Sequence, residues 1–341
     1  MVPLGRAGRS LSALNPLDTF EDRLRAFFER ASNVVPVYAQ IAHHLGYVPG
    51  TPARRGKRLR PRLTIAAAQS CGGSLERALP AGIAVELLHN YSLVHDDIED
   101  GDRMRHGRET VWSAFGLPHG VNAGDAIGAM AQLALASATP PLDERVAFAM
   151  SMDLATANLR MCEGQSLDLA FERVERATVD SYVEMIGGKT AALFACCGSL
   201  GARSAFGDAA LIERCTDVGR LFGIAFQIQD DVIGTWGDSL ATGKSADGDL
   251  ARRKKTYPIV WAIERDPSGA GRAVVETYSK PGATLDSASV ESLRSLLESA
   301  GAREAAVAAA SDCFARALAR AAGLTPLESF IESSRAELHE P

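Results

Sequence analysis

Apolar residues recur at helical spacing along almost the whole chain. In the first run, Phe20 to Leu45, the side chains of Leu24, Phe27 and Phe28 fall on one face of a helix. Runs that alternate apolar and polar residues, as strands do, are hard to find. The pattern therefore predicts an all-α protein.

The same spacing predicts further helices, and Pro, Gly and polar clusters separate them. We expect them at Leu63 to Cys71, Ala81 to Asp100, Val111 to Phe115, Asn122 to Ala138, Glu144 to Phe171, from Gly187 onward, at Gly219 to Gly234 and beyond Val260. Residues 102–108 form a predicted polar loop. Since no linker-like stretch divides the chain, residues 18–341 are predicted to form one domain, and residues 1–17 a disordered tail.

Composition narrows the function classes. The 341 residues are 46% hydrophobic, and the formal net charge of −6 argues against a nucleic-acid binder, which needs a basic face. Six cysteines without metal-ligand spacing or a secretory signal favour reduced thiols and a cytoplasmic location. The most apolar segment, Ala126 to Ala138, is shorter than a membrane span, so no integral membrane segment is expected.

Three carboxylates lie at the end of the apolar run that begins near Ala81. Asp96 and Asp100 are one helical turn apart, and Asp97 lies three residues before Asp100. Clustered like charges at the end of an apolar helix repel one another, and a bound divalent cation offsets this repulsion by attracting all of them. Oxygen ligands favour a hard ion such as Mg²⁺. The alternative is a solvated acidic helix end.

Residues 54–62 carry six cationic side chains in nine positions of an otherwise acidic protein. Such a cluster must face something anionic. A diphosphate fits, because cationic side chains bind its oxygens directly and carboxylates can bind it through a metal ion. The alternative is a solvated charge run. His89 lies two turns before Asp96 on nearly the same helix face, although a lone His on an apolar helix is more often a core residue.

A second acidic pair, Asp230 and Asp231, ends another apolar helix. Facing carboxylates from two helices of a bundle are a recurrent way to build a metal site. Between the two motifs, Lys189 and Thr190 follow two glycines. This stretch is either a phosphate-binding turn at a helix start or a plain helix N-terminus.

The order of these motifs resembles the trans-isoprenyl diphosphate synthases, the polyprenyl synthetase family, over about Phe20 to Glu332. The six matching motifs, in chain order, are Gly-Lys-x-x-Arg-Pro at 56–61, Asp-Asp-x-x-Asp at 96–100, Gly-Gln at 164–165, Lys-Thr at 189–190, Phe-Gln-x-x-Asp-Asp at 226–231 and Gly-Lys at 243–244.

The resemblance implies an all-α fold, a single large helical bundle around a deep central cavity, and usually a homodimer. It implies a prenyltransferase that condenses isopentenyl diphosphate with an allylic diphosphate, with two or three Mg²⁺ ions in the active site. The expected product is geranylgeranyl diphosphate or, next, farnesyl diphosphate.

The resemblance also implies residue roles. The implied Mg²⁺ ligands are Asp96, Asp97, Asp100, Asp230 and Asp231. Those implied to grip the allylic diphosphate are Arg105, Lys189, Lys244 and, as a weaker candidate, Lys254. Those implied to bind isopentenyl diphosphate are Lys57, Arg60 and His89. Those implied to line the place where the allylic cation forms are Thr190 and Gln227, with Phe226 nearby.

Two positions depart from the family pattern. A second arginine commonly follows Arg105, and this chain has His106, which weakens one expected contact with isopentenyl diphosphate. A third aspartate usually ends the second motif, and Gly234 stands in its place; Asp238 could compensate in part. These departures leave two alternatives: a terpene synthase that cyclises a prenyl diphosphate without elongation, and a non-catalytic partner subunit.

Product length in this family depends on bulk just before the first motif. The positions five and four residues before Asp96 are Tyr91 and Ser92. The combination of a large and a small side chain at these two positions resembles that of the geranylgeranyl synthases somewhat more than that of the farnesyl synthases.

Overall fold

The computed structural model describes residues 15–48, 56–138, 141–171, 177–237, 248–279 and 284–339. Within these ranges nearly all regular structure is helical, as the sequence predicts. The first elements are α1 (Pro16–Ala31), α2 (Pro36–Leu45), α3 (Leu59–Ser70), α4 (Leu75–Glu99), the strands β1 (Met104–Arg105) and β2 (Arg108–Glu109), α5 (Val111–Phe115) and α6 (Leu117–Ala136). The next are α7 (Glu144–Phe171), α8 (Val179–Ile186), a π-helical segment (Gly187–Ala191), α9 (Ala192–Ser204) and α10 (Ala209–Trp236). The last are α11 (Gly248–Ala251), α12 (Tyr257–Arg265), α13 (Ala270–Tyr278), α14 (Ser287–Ser299), α15 (Ala302–Ala321) and α16 (Thr325–His339).

Contacts between residues divide the chain into two compact units. Unit 1 comprises Met1–Arg62 and Leu75–Pro141, and unit 2 comprises Leu63–Ser74 and Leu142–Pro341. The predicted single domain stays a prediction. Most of the predicted tail lies outside the described residues, although Pro16 and Leu17 already belong to α1.

In unit 1, α4 packs closely against α6 along a row of glycines. A Cβ atom at Gly124 would lie 2.2 Å from Nε2 of His95, and one at Gly128 would lie 3.3 Å from the ring of Tyr91. Helices approach this closely only where side chains are absent, so the glycines fix how α4 lies. The acidic end of α4 is therefore rigidly positioned within unit 1.

In unit 2, α7 crosses the π-helical segment at two glycines. A Cβ atom at Gly164 would lie 2.0 Å from the backbone nitrogen of Lys189, and one at Gly188 would lie 2.8 Å from the carbonyl oxygen of Arg160. The extra residue per turn of a π segment often marks a functional site. Here it determines where Lys189 and Thr190 point.

Three sequence predictions of local structure are wrong. The run from Phe20 to Leu45 is two helices, because Pro36 is preorganised to begin α2 rather than to continue α1. Gly187 does not open a helix; it continues the helix that begins at Val179, where Thr178 forms a capping box with Ser181. The predicted loop at 102–108 contains an antiparallel hairpin that pairs Arg105 with Arg108.

The described residues contain one helical stretch, Val179–Ser204, that is long and apolar enough to cross a membrane. Its apolar window is 72% buried within the protein, as in the core helix of a globular fold.

Candidate active site

The first acidic motif lies in the last turn of α4, in unit 1. Asp96 and Asp100 are half-buried, whereas Asp97 is only 1% exposed. Nε of Arg105, from strand β1, donates a hydrogen bond of 2.7 Å to Oδ1 of Asp97. Burial raises the pKa of Asp97 to about 6, and the guanidinium of Arg105 opposes that rise. The middle carboxylate of the motif is therefore already paired on one side.

The other oxygen of Asp97, Oδ2, is buried and has no hydrogen-bond partner among the described residues. Among all the residues that the structure describes, no group of three or more His, Cys, Asp or Glu side chains is arranged so that it could hold a metal ion by itself. Mg²⁺ takes one or two carboxylates and completes its shell with water and phosphate oxygens. An unsatisfied carboxylate oxygen next to Asp96 and Asp100 fits that requirement.

His89 lies two turns earlier on α4, among cations of unit 1. Desolvation of the ring, followed by the charges of Arg60, Arg105 and Arg58, holds the pKa of His89 well below its usual value. Three predicted diphosphate-binding residues, Arg60, His89 and Arg105, therefore interact electrostatically in unit 1. A neutral imidazole can donate one hydrogen bond to an anion without adding to the repulsion between guanidinium groups.

The loop before α3 contains Lys57, the remaining residue of unit 1 that is predicted to bind isopentenyl diphosphate. Lys57 is exposed, and Arg60 lies half-buried in the first turn of α3. In the hairpin, His106 is exposed and has a φ of +51°, a left-handed conformation that L-residues adopt rarely. His106 therefore forms part of the tight turn that joins β1 to β2.

The two residues predicted to set product length lie on α4. The Tyr91 ring lies edge-on to His95, with ring centres 4.8 Å apart, and covers the gap left by Gly128 on α6. The hydroxyl of Ser92 donates a hydrogen bond of 2.9 Å to the carbonyl oxygen of His89. Tyr91 is thus held by packing, and Ser92 adds little bulk.

In unit 2, the predicted residues Thr190, Gln227 and Asp231 form one hydrogen-bonded line. The Thr190 hydroxyl donates to Oε1 of Gln227 at 2.7 Å, and Nε2 of Gln227 donates to Oδ1 of Asp231 at 3.1 Å. Oδ2 of Asp231 accepts from the hydroxyl of Tyr182 at 2.5 Å and from the backbone N–H of Tyr257 at 2.8 Å. Both carboxylate oxygens are therefore occupied.

Asp231 is 5% exposed, and burial raises its pKa to about 7 while its hydrogen-bond donors lower it. Its neighbour Asp230 is half-buried on the adjacent position of α10. The second acidic pair thus repeats the arrangement of the first: one carboxylate is held in the protein, and the other is accessible. Phe226, one residue before Gln227, packs on Phe194 with ring centres 5.4 Å apart.

Lys189 projects from the π-helical segment toward α7. Its Nζ lies 2.5 Å from Oδ2 of Asp168, and both side chains are about one quarter exposed. The carboxylate fixes the ammonium group and leaves its two other hydrogens for an anion.

Gly234 stands where the family pattern has a third aspartate, and a different carboxylate lies beside it. A Cβ atom on Gly234 would be 2.7 Å from Oδ2 of Asp249, the second residue of α11. Asp238, the residue predicted to compensate, lies outside the described residues, as does Lys244. Lys254 is half-buried, and its backbone accepts a hydrogen bond of 3.3 Å from the hydroxyl of Tyr278.

Comparison with known proteins agrees with this arrangement. The family model described as polyprenyl synthetase matches residues 47–296. The chain belongs to the polyprenyl synthetase family. Family membership confirms the predicted enzyme class, a prenyltransferase.

Two curated relatives and one solved structure show the extent of the likeness. The chain is 41% identical to the geranylgeranyl diphosphate synthase of Mycobacterium tuberculosis over 270 residues, 78% of this chain and 76% of that protein. It is 35% identical to the (2E,6E)-farnesyl diphosphate synthase of Mycobacterium bovis over 275 residues, 79% of this chain and 76% of that protein. It resembles the crystal structure of polyprenyl synthase from Caulobacter crescentus CB15 complexed with calcium and isoprenyl diphosphate, with a TM-score of 0.79 and 28% identity over 92% of this chain and 93% of that one. The predicted all-α fold of the isoprenoid synthase type is confirmed.

Several residues of this polyprenyl synthetase that hold the site in place were not assigned from sequence. They are Glu21, Arg58, Glu86, Asp168, Tyr182, Asp249 and Tyr257. Only Arg58 carried a signal, since it lies within the cationic run. Glu86 lies one turn before His89 on α4, and the others contact predicted site residues or the positions beside them from elsewhere in the chain, where no spacing rule links them.

Proposed function

We propose that the enzyme condenses isopentenyl diphosphate with an allylic diphosphate and releases a short-chain all-trans prenyl diphosphate. The observation that carries this proposal is a second cationic segment, Lys57 and Arg60 at the start of α3, with the charge of Arg60 acting on the His89 ring of α4. A terpene synthase that only cyclises its substrate has no need of a second diphosphate-binding site. The relatives named as prenyl diphosphate synthases support the same activity.

In unit 1, Lys57, Arg60 and His89 bind the diphosphate of isopentenyl diphosphate. Guanidinium and ammonium groups suit this task because they donate several charge-assisted hydrogen bonds to phosphate oxygens. His106 sits in the turn of the hairpin, where an arginine is usual, so it supplies a weaker contact. Fixing this diphosphate places the double bond for attack on the allylic carbon.

Metal ligation falls to carboxylates of both acidic motifs. In unit 1, Asp96, Asp100 and the unpaired Oδ2 of Asp97 would hold Mg²⁺, and in unit 2 Asp230 would do so, with two or three ions in all. When bound, these ions would neutralise the charge that develops on the departing diphosphate. Asp231 also orients Gln227, because its Oδ1 accepts a hydrogen bond from Nε2 of Gln227. The predicted metal-ligand role of Asp231 stays a prediction.

Cationic side chains assist the departure of the diphosphate. Arg105, Lys189, Lys244 and Lys254 donate to its oxygens, and Asp168 holds Lys189 in position for that contact. The oxygens of Thr190 and Gln227 and the ring of Phe226 stabilise the allylic cation. The double bond of isopentenyl diphosphate then attacks the cation, and loss of a proton, taken by the released diphosphate, completes one elongation.

The proposed product is geranylgeranyl diphosphate, with farnesyl diphosphate next. The relative with 41% identity carries the first name and the relative with 35% identity the second. Tyr91 supplies bulk on one side of α4, and Ser92 leaves the neighbouring position small.

We also propose a homodimer in the cytoplasm. On α7, Phe148, Met152 and Leu159 are 69%, 50% and 60% exposed, and their spacing places them on one side of the helix. Such a stripe is typical of a surface covered by another subunit. All six cysteines are free thiols, in keeping with a reducing compartment.

The test uses purified protein, Mg²⁺, isopentenyl diphosphate and farnesyl diphosphate, with the wild type compared with Arg60→Gln and with Arg23→Gln, an exposed arginine on α1. We expect Arg60→Gln to raise the KM for isopentenyl diphosphate by roughly tenfold or more, and Arg23→Gln to leave it unchanged. Equal KM values in all three proteins would remove Arg60 from the site.

A further inference from the structure

Arg58 lies between Lys57 and Arg60 in sequence, and its guanidinium pairs with two buried carboxylates. Its φ is +50°, a left-handed conformation that a non-glycine residue rarely adopts. Its carbonyl oxygen accepts from the backbone N–H of Arg62 at 3.1 Å, so Arg58 is the residue at which the loop becomes α3. Something outside the loop must stabilise this conformation.

Two buried carboxylates do so. Nε of Arg58 donates to Oε1 of Glu21 on α1 at 2.7 Å, and a terminal guanidinium nitrogen donates to Oε1 of Glu86 on α4. Glu21 is 6% exposed and Glu86 is 4% exposed. Breaking a buried ion pair by removing one partner is strongly destabilising, so each of the three groups depends on the others. The pairs tie the loop to two helices at once.

The network continues from Glu86 toward the hairpin. Nδ2 of Asn90 donates to the backbone oxygen of Glu86 at 2.7 Å and to its Oε1 at 3.2 Å. Nε2 of His44 lies 3.1 Å from Oδ1 of Asn90, and since an amide oxygen only accepts, the His44 hydrogen is on Nε2. Arg108 of strand β2 donates to the backbone oxygens of His43 and His44 at 3.1 Å and 3.4 Å.

The network therefore fixes two cationic segments of unit 1 to the same stretch of α4. One segment is the loop with Lys57 and Arg60, and the other is the hairpin with Arg105. His89 lies between Glu86 and Asn90 in sequence, and its pKa is lowered by both Arg60 and Arg105. The buried groups thus tie both segments that carry predicted anion-binding residues to α4.

Resting on the proposed function, we propose that Arg58 is a positioning residue for isopentenyl diphosphate. Its buried pairs with Glu21 and Glu86 hold the loop in the one conformation that presents Lys57 and Arg60 to the diphosphate. Arg58 itself does not touch the substrate. Loss of its anchor lets the loop sample other conformations, and binding must then select the competent one.

The test must avoid leaving buried carboxylates without a partner. The main variant is the neutral triple substitution Arg58→Gln, Glu21→Gln and Glu86→Gln, which removes the charges together and keeps side chains that can hydrogen bond. Arg58→Lys is the conservative comparison, because an ammonium group keeps the charge but cannot donate in two fixed directions. Arg23→Gln, on the exposed side of α1, is the matched control. Thermal unfolding establishes that each protein is folded.

Steady-state kinetics with isopentenyl diphosphate and farnesyl diphosphate then separate the two substrates. We expect the triple variant to raise the KM for isopentenyl diphosphate by about tenfold and to change the KM for farnesyl diphosphate by less than about twofold. Arg58→Lys should fall between the wild type and the triple variant. A purely structural role would lower the folded fraction and affect both substrates equally.

Two results separate this inference from the proposed function. If the wild type elongates farnesyl diphosphate and the triple variant keeps the wild-type KM for isopentenyl diphosphate, the positioning role is wrong. Equal increases in both KM values would also overturn it. If the wild type consumes no isopentenyl diphosphate with any allylic partner, the proposed function fails, and the inference fails with it.

Discussion

Nε of Arg105 lies 2.7 Å from Oδ1 of Asp97, and this ion pair distinguishes Asp97 from the other two carboxylates of the first acidic motif. The buried carboxylate between the two accessible ones is paired through Oδ1, so it anchors the hairpin, whereas its Oδ2 has no hydrogen-bond partner among the described residues. In the proposed site, the accessible Asp96 is therefore expected to have the more direct role in holding Mg²⁺.

Asp96→Ala should therefore lose on the order of 3 kcal/mol of transition-state stabilisation, which is more than a hundredfold in kcat/KM. Glu99→Gln, an exposed carboxylate in the same turn, is the matched control and should stay within about twofold of the wild type. The measurement is kcat/KM for the allylic substrate at saturating Mg²⁺. Near-wild-type turnover by Asp96→Ala would rule out the metal assignment.

Gly234, which stands where the family pattern has a third aspartate, lies beside the carboxylate of Asp249. Its Cβ would lie 2.7 Å from Oδ2 of Asp249, so Gly234→Asp sets two carboxylates side by side. Without Mg²⁺, we expect this variant to be destabilised by about 1–2 kcal/mol through like-charge repulsion. Adding Asp249→Asn should recover most of that loss, as a double-mutant cycle on unfolding free energies would show. Additive effects in the cycle would mean that the two positions do not interact.

His44 makes stability depend on pH. Desolvation of its ring, with smaller contributions from Arg105 and Arg108, lowers its pKa from 6.5 to about 3. Below pH 6.5 the unfolded chain binds a proton that the folded protein does not, so stability is full above that pH and is lost as the pH falls toward 3. Between pH 8 and pH 5 this group alone should cost about 2 kcal/mol of unfolding free energy.

Urea unfolding of the wild type and of His44→Gln at several pH values checks this expectation. A glutamine keeps an N–H that can donate to Asn90 and takes up no proton, so its stability should fall less steeply with acid. His89, whose pKa is also lowered, contributes in the same direction in both proteins. Identical slopes for the two proteins would contradict the account of His44.

The hydrogen bond from Tyr182 to Asp231 is the basis of the fourth prediction. Tyr182→Phe removes one of three donors from a carboxylate that is 5% exposed. We expect a loss of about 1–2 kcal/mol in unfolding free energy, because a buried acceptor is left partly unsatisfied. Tyr38→Phe, a half-buried tyrosine of α2, is the matched control. A loss no larger than that of the control would show that this bond contributes little.

Much of the fold and the chemistry could be predicted from sequence because the signals are local. Helical spacing over Glu144 to Phe171 and over Val111 to Phe115 gave the bounds of α7 and α5. The acidic motif at Asp96 stands at the end of an apolar helix, where the pattern placed it. The small hairpin after α4 was missed because two-residue strands are too short to show alternation.

What could not be predicted depends on contacts between distant segments. The partners of Arg58 come from positions 37 and 28 residues away, and two of the three donors to Asp231 come from positions 49 and 26 residues away. No periodicity links such residues. The carboxylate beside Gly234 likewise comes from α11, whereas the compensating residue predicted from sequence, Asp238, follows α10 closely in sequence.

The most direct test of the central claim is the mass of the product formed from farnesyl diphosphate, isopentenyl diphosphate and Mg²⁺. We predict geranylgeranyl diphosphate, seen as a diphosphate before phosphatase treatment and as the matching alcohol afterwards. Its formation should require isopentenyl diphosphate. A cyclic hydrocarbon or alcohol formed from farnesyl diphosphate alone would contradict the account and would identify a terpene synthase instead.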